Sequence, residues 1–149
     1  MQEALEGGAD RFGFRLVHYS VQANHLHLLV EAEGKRALAR GMKGLKVRLA
    51  RKINAIAGRT GTVFTDRYHA RVLSSPRAVK NAIAYCLNNA RKHALERRRS
   101  LPARWVDPCS TAKRFYEEAK GLLSPRTWLL REGWRRWGEI SPSLVPGFR

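Results

Sequence analysis

Leu38, Met42, Leu45, Leu49, Ile53 and Ile56 recur at three- and four-residue steps between Lys35 and about Ala57, a period that predicts one long amphipathic helix. Its other side carries Arg36, Arg40, Lys43 and Arg51, and no acidic residue occurs between Gly34 and Asp66. A charged stripe on a helix is ordinarily a solvated face. One without counter-charge is better matched to phosphates.

Ahead of this helix the period is two. FGFRLVHYSV, Phe12 to Val21, alternates as a strand; Gln22-Ala23-Asn24 turns the chain; HLHLLV follows as its antiparallel partner. The first residues, through Ala4 and Leu5, read as the end of a helix closed by Gly7 and Gly8. On the second strand His25, His27 and Leu29 share one face, and Leu26, Leu28 and Val30 the other. Two imidazoles with Cα atoms roughly 7 Å apart can converge on one metal ion. They can equally be satisfied histidines on a half-buried sheet, and the pair alone does not decide.

Behind the long helix, GRTG has no Lys-Ser or Lys-Thr pair, which excludes a P-loop. VFTDRYHARVL, Val63 to Leu73, is expected to be extended, with Arg67 and Arg71 as phosphate contacts and His69 in a local structural role. Ser75-Pro76 opens a second helix with a serine cap and a first-turn proline. Val79, Ile83, Cys86, Leu87 and Ala90 form its buried stripe. Tyr85 lies off that stripe, among Asn81, Asn88, Asn89 and Lys92, an unusual setting for a packing tyrosine. His93, beside Lys92, is assigned to a basic DNA-facing patch, while His18 and Tyr19 are expected to be structural. Past Arg97-Arg98-Arg99 and Pro102 the composition changes, which divides the chain into a main domain, residues 1–100, and a helical extension, residues 101–149. Two short helices are expected there, at about Thr111–Lys120 and Pro125–Trp137. Trp105, Trp128, Trp134 and Trp137 either stack on bases or, more commonly, dock the extension onto the core.

A formal charge of +17 and a pI of about 11.2 point to a polyanionic partner, nucleic acid before membrane. No apolar run approaches the length needed to span a bilayer, and MQEALEGGAD has no signal-peptide pattern. Cys86 and Cys109 make no CxxC, and the expected location is a reducing cytoplasm.

A phenol can attack a phosphodiester, forming a phosphotyrosine bond and freeing a 3′ hydroxyl. Since a phenol ordinarily titrates near pH 10, it benefits from a divalent ion that polarises the phosphate. The blocks that supply such parts here are NHLHLLV, VFTDRYHARVL and AIAYCLNNARKHA. They resemble, in order and spacing, the His-hydrophobic-His motif, the aromatic-x-x-Arg-aromatic strand and the catalytic helix of single-tyrosine transposases of the insertion-sequence 200/605 type. The likeness is greatest to the REP-associated tyrosine transposases and covers about Met1 to Ala94.

The resemblance implies that Tyr85 is the nucleophile. It makes His25 and His27 ligands of Mg²⁺ or Mn²⁺, with Asn89, one turn from Tyr85, as the third ligand. It implies an endonuclease and transposase acting on single-stranded or hairpin DNA, with no membrane component; a homodimer is compatible with it. The implied fold is an α+β, ferredoxin-like or RRM-like antiparallel sheet with helices on one face. In that family the first strand precedes the first helix, so a chain opening at the end of that helix is expected to lack it. The alternative reading is a catalytically inactive nucleic-acid-binding relic of the same fold. Replication initiators and relaxases fit less well, because their tyrosine and histidines come in a different order.

Overall fold

Phe12 and Gly13 both adopt positive φ, 51° and 75°, and this two-residue turn decides where the sheet begins. The alternation in the sequence starts the first strand at Phe12. Instead β1 (Asp10–Arg11) pairs with β2 (Phe14–Val21) across the turn, Arg11 facing Phe14, because a glycine takes the left-handed conformation that an alternating strand cannot. β2 then pairs with β3 (Leu26–Ala32), giving the sheet order β1-β2-β3. Gln22 N donates to His25 O at one end of this second hairpin, and Glu33 N donates to Gly13 O at the other, both at 2.9 Å.

The structure, a computed structural model, describes residues 1–7, 9–117 and 123–147. Its helices are α1 (Gln2–Glu6), α2 (Lys35–Ala57), α3 (Pro76–Glu96), α4 (Ala112–Tyr116) and α5 (Trp128–Arg131), followed by a 3₁₀ turn at Gly133–Trp137. The fold class is α+β, as expected. Among the described residues no helix is long and apolar enough to cross a membrane. The chain divides into two compact units, Met1–Leu16 with Glu31–Val72, and Val17–Val30 with Leu73–Arg149.

In the first unit α2 buries Met42, Leu45 and Leu49, and the core is completed by Leu5, Phe14 and Leu16. Ile53 is only half-buried and Ile56 is exposed, so the apolar face of α2 is used over its first four turns. Gly58, in the left-handed conformation, ends the helix as the sequence indicates. Gly8, assigned to the closure of α1, lies outside the described residues. Val63–Leu73, expected as an extended strand, joins no sheet. Side chains of α2 bind this region instead: Asn54 Nδ2 donates to Gly61 O at 2.8 Å, and Lys46 Nζ to Asp66 O at 2.9 Å.

In the second unit Ser75 Oγ accepts from Ala78 N at 3.2 Å, capping α3 where the sequence places the cap. Val79, Ile83, Ala84 and Leu87 of α3 share one core with Val17, Leu29, Ala112, Leu130, Trp134 and Ile140. Ala84 replaces Ala90 in the expected stripe, Ala90 being half-buried. Arg91 donates to the carbonyls of Leu101, Pro102, Ala103, Trp105 and Pro142. Asn88 donates to Ser141 O and Leu144 O at 2.9 and 3.0 Å and accepts from Tyr116 Oη at 2.9 Å. The helix expected at Pro125–Trp137 forms only at Trp128, after Thr127, and Glu132 (φ −136°) interrupts it. The expected end of its predecessor at Lys120 lies outside the described residues. Trp134 is buried in the core. Trp128 and Trp137 stay exposed, each under a guanidinium, Arg136 at 4.9 Å and Arg77 at 5.3 Å.

Two consequences can be measured. A Cβ on Gly41 would lie 2.1 Å from Phe14 Cγ, whereas one on Gly44 meets nothing nearer than the Arg48 guanidinium at 3.6 Å. Gly44→Ala should therefore raise stability by up to about 1 kcal/mol through helix propensity. Gly41→Ala should lower it by about 1–3 kcal/mol through overpacking, and urea melts of the two variants will show the opposite signs. The second concerns His18, buried and hydrogen-bonded to Thr111 Oγ1 at 3.1 Å, whose pKa burial pushes down to about 4. The unfolded chain binds a proton there near pH 6.5 that the folded chain refuses. Stability is therefore full above pH 6.5 and falls by at most about 1.4 kcal/mol per unit as the pH drops towards 4. Thermal melts from pH 7 to 5 should fall, and His18→Gln should flatten the slope.

Candidate active site

β3 delivers its histidines by a gradient of burial along one face. Leu29 is in the core, His27 is half-buried, and His25, just before the strand begins, is exposed. The same face looks onto α3, since the Cys86 thiol contacts His27 O at 3.9 Å and the Tyr85 ring stands edge-on to His27 with centroids 4.9 Å apart. Four residues along α3, Asn89 is fully buried, and its Nδ2 lies 3.2 Å from His93 Nε2. The His93 ring centroid is 6.2 Å from that of His25, and Lys92 Nζ lies 5.3 Å from the Tyr85 ring centroid. Tyr85, His25, His27, Asn89, Lys92 and His93 thus gather in one cluster within the second unit.

The imidazole nitrogens converge. His25 Nε2 and His27 Nε2 are 3.0 Å apart, and Asn24 Oδ1 accepts from His25 Nδ1 at 2.7 Å. That outer bond puts the hydrogen of neutral His25 on Nδ1 and leaves Nε2 a lone pair. His27 has its pKa pushed down to about 4, first by desolvation and then by His25, His93 and Lys92, so its ring is uncharged at neutral pH.

These residues fit a hard divalent cation. An octahedral ion with ligands at about 2.1 Å spans adjacent donors at about 3.0 Å, the separation of the two nitrogens. Asn89 Oδ1 is buried with no hydrogen-bond partner, a state that ordinarily costs about 1–3 kcal/mol and that an oxygen-seeking cation would relieve. Among the described residues no group of three or more His, Cys, Asp or Glu side chains is placed to hold a metal. A cation here would therefore draw on two imidazoles and on amide, water or phosphate oxygens.

Arg36, Arg40, Lys43 and Arg51 are all exposed or half-exposed along one stripe of α2 in the first unit, and Arg67 and Arg71 are exposed in the segment that follows it. Lys43 and Arg67, with Lys46, Tyr68, Ala39 and Val47, line an open groove of about 630 Å³. His69 is exposed and does not line this groove. The sequence reading passed over Lys46 and Tyr68 in the groove, Asn24 behind His25, and Glu96, whose Oε2 lies 2.9 Å from His93 Nδ1. Asn24 adjoins the histidine pair and Glu96 falls three residues after His93 on one helix face, so both positions were available from spacing. Asn88 and Asn81, grouped with Tyr85 from the sequence, part from it: Asn88 binds the 141–144 segment and Asn81 is exposed.

A protein-family model described as "Transposase IS200 like" matches residues 1–89, well over half of the chain. No curated protein and no solved structure matches it.

Proposed function

Because the chain belongs to the IS200-like transposase family, with DNA as its partner, we propose that it cleaves and rejoins single-stranded DNA through Tyr85. The observation that carries this reading is the edge-on approach of Tyr85 to His27, at 4.9 Å, beside two converging imidazole nitrogens. Tyr85 Oη attacks the phosphorus of a phosphodiester. The Oη–P bond forms as the P–O3′ bond breaks, the phenol proton passes to solvent, and the departing oxygen is protonated to a 3′ hydroxyl. The 5′ end stays on the protein until a 3′ hydroxyl reverses the step.

His25, His27 and Asn89 would hold Mg²⁺ or Mn²⁺, which when bound supplies charge for the phosphate oxygens in the transition state. Asn24 holds the His25 ring so that Nε2 faces inward. Lys92, above the Tyr85 ring, adds a positive charge where the phenolate develops. Arg36, Arg40, Lys43, Arg51, Arg67 and Arg71 contact phosphates along the strand, and Tyr68 offers a base a stacking surface within the groove.

The test mixes the protein with 5′- and 3′-labelled single-stranded hairpin DNA and Mn²⁺ and resolves the products on a denaturing gel. A covalent adduct that retains the 3′ label through its new 5′ phosphate is expected, with the 5′ label released on a fragment ending in a 3′ hydroxyl. Tyr85→Phe should abolish it while leaving DNA affinity within about two-fold, and His25→Ala should lower cleavage at least about a hundred-fold, the scale of one lost electrostatic contribution. Cleavage unchanged in both variants would refute the assignment. A salt-sensitive mobility shift with no adduct in the unmodified protein would leave the binding relic as the function.

A further inference from the structure

Tyr85, Asn89 and His93 recur every four residues on α3, and Glu96 follows three later, so all four share one ridge. Along it the hydrogen bonds have a direction. Glu96 Oε2, an acceptor only, lies 2.9 Å from His93 Nδ1, which places the hydrogen of the neutral ring on Nδ1 and leaves Nε2 a lone pair. That lone pair is 3.2 Å from Asn89 Nδ2, so the amide donates to it. The other carboxylate oxygen, Oε1, stands 3.9 Å from Lys92 Nζ, a second hold on Glu96.

A carboxamide has two ends of nearly equal size and opposite chemistry: the oxygen binds cations, while the NH₂ group has no lone pair to offer. Which end is free is decided by neighbours. Here the nitrogen is taken by His93, and Oδ1 is the buried, unpartnered end. We infer that Glu96, acting through His93, is a positioning residue that turns the Asn89 carboxamide so that its oxygen is the end free for a divalent cation. The inference rests on Asn89 being a cation ligand, as proposed above. Without the carboxylate, His93 can carry its hydrogen on Nε2, and Asn89 then turns its oxygen towards His93 and its NH₂ towards the site.

The experiment measures Mn²⁺ binding to the whole protein without DNA, by titration calorimetry and by the loss of free-Mn²⁺ paramagnetic resonance signal, with circular dichroism as the check on folding. Asn89→Ala and Glu96→Ala should each weaken binding about 10- to 100-fold, the usual effect of a lost ligand support. Glu96→Gln should stay within about three-fold of the parent, because its amide oxygen accepts the same Nδ1–H. Asn89→Asp makes both ends of the side chain oxygens. In that background Glu96→Ala should change affinity by less than about three-fold.

If Asn89→Ala weakens binding and Glu96→Ala does not, the positioning role is wrong and the ligand reading stands. The role is also wrong if Glu96→Ala costs as much in the Asn89→Asp background as in the parent, since Glu96 would then act only through charge or structure. If the parent protein binds no Mn²⁺, or Asn89→Ala leaves binding unchanged, the ligand reading fails and takes the inference with it. Glu96 is exposed and belongs to no buried core, so its variants carry the test even if Asn89→Ala fails to fold.

Discussion

Leu29 sits in one core with Val79, Ile83 and Leu87, and that apolar contact fixes β3 against α3. Everything chemical in the second unit is cantilevered from it. Two residues towards the start of the strand is His27, and two residues along the helix from Ile83 is Tyr85; neither needs a loop to bring it into place. Sites built on regular elements hold side chains more closely than sites built on loops. Burying Leu29 contributes roughly 1.5–3 kcal/mol to stability, enough to hold the strand register that decides which face the histidines occupy.

The electrostatics of the cluster follow from this placement. His27 is half out of water and faces His25, His93 and Lys92, so a proton on its ring would meet both desolvation and three cationic or potentially cationic neighbours. The ring is kept neutral. Two of those neighbours, His93 and Lys92, are paired with the Glu96 carboxylate.

Much of this was legible in the sequence because it depends on period. The apolar steps of α2 and α3, the alternation of β2 and β3, and the Ser75-Pro76 start all report local geometry, and local geometry prevailed. Strand parity pairs His25 with His27 and helix spacing pairs Tyr85 with Asn89, while the joining of the two pairs in one site is what the family resemblance implies. What escaped was set by partners distant in the chain or by a single turn. Phe12 looked like part of a strand, but Gly13 allowed a tight turn; Val63–Leu73 joins no sheet, and α2 side chains take carbonyls in and beside it. Asn88 and Asn89 are adjacent in sequence and look interchangeable. One turns to Ser141 and Leu144, the other towards His93, a distinction that only the packed helix makes.

α3 is consequently a helix with two obligations on different sides. Asn88 and Arg91 bind carbonyls between Leu101 and Trp105 and between Ser141 and Leu144, while Asn89 and His93 lie between and beside them in the same two turns. An insertion or deletion of a single residue between Tyr85 and His93 would rotate these sets by about 100° relative to the rest of the helix. The side chains of the cluster and the anchors would exchange places with solvent. Over evolutionary time this segment should tolerate substitution far better than change of length, and the tail should drift only in ways that keep its carbonyls within reach of one guanidinium.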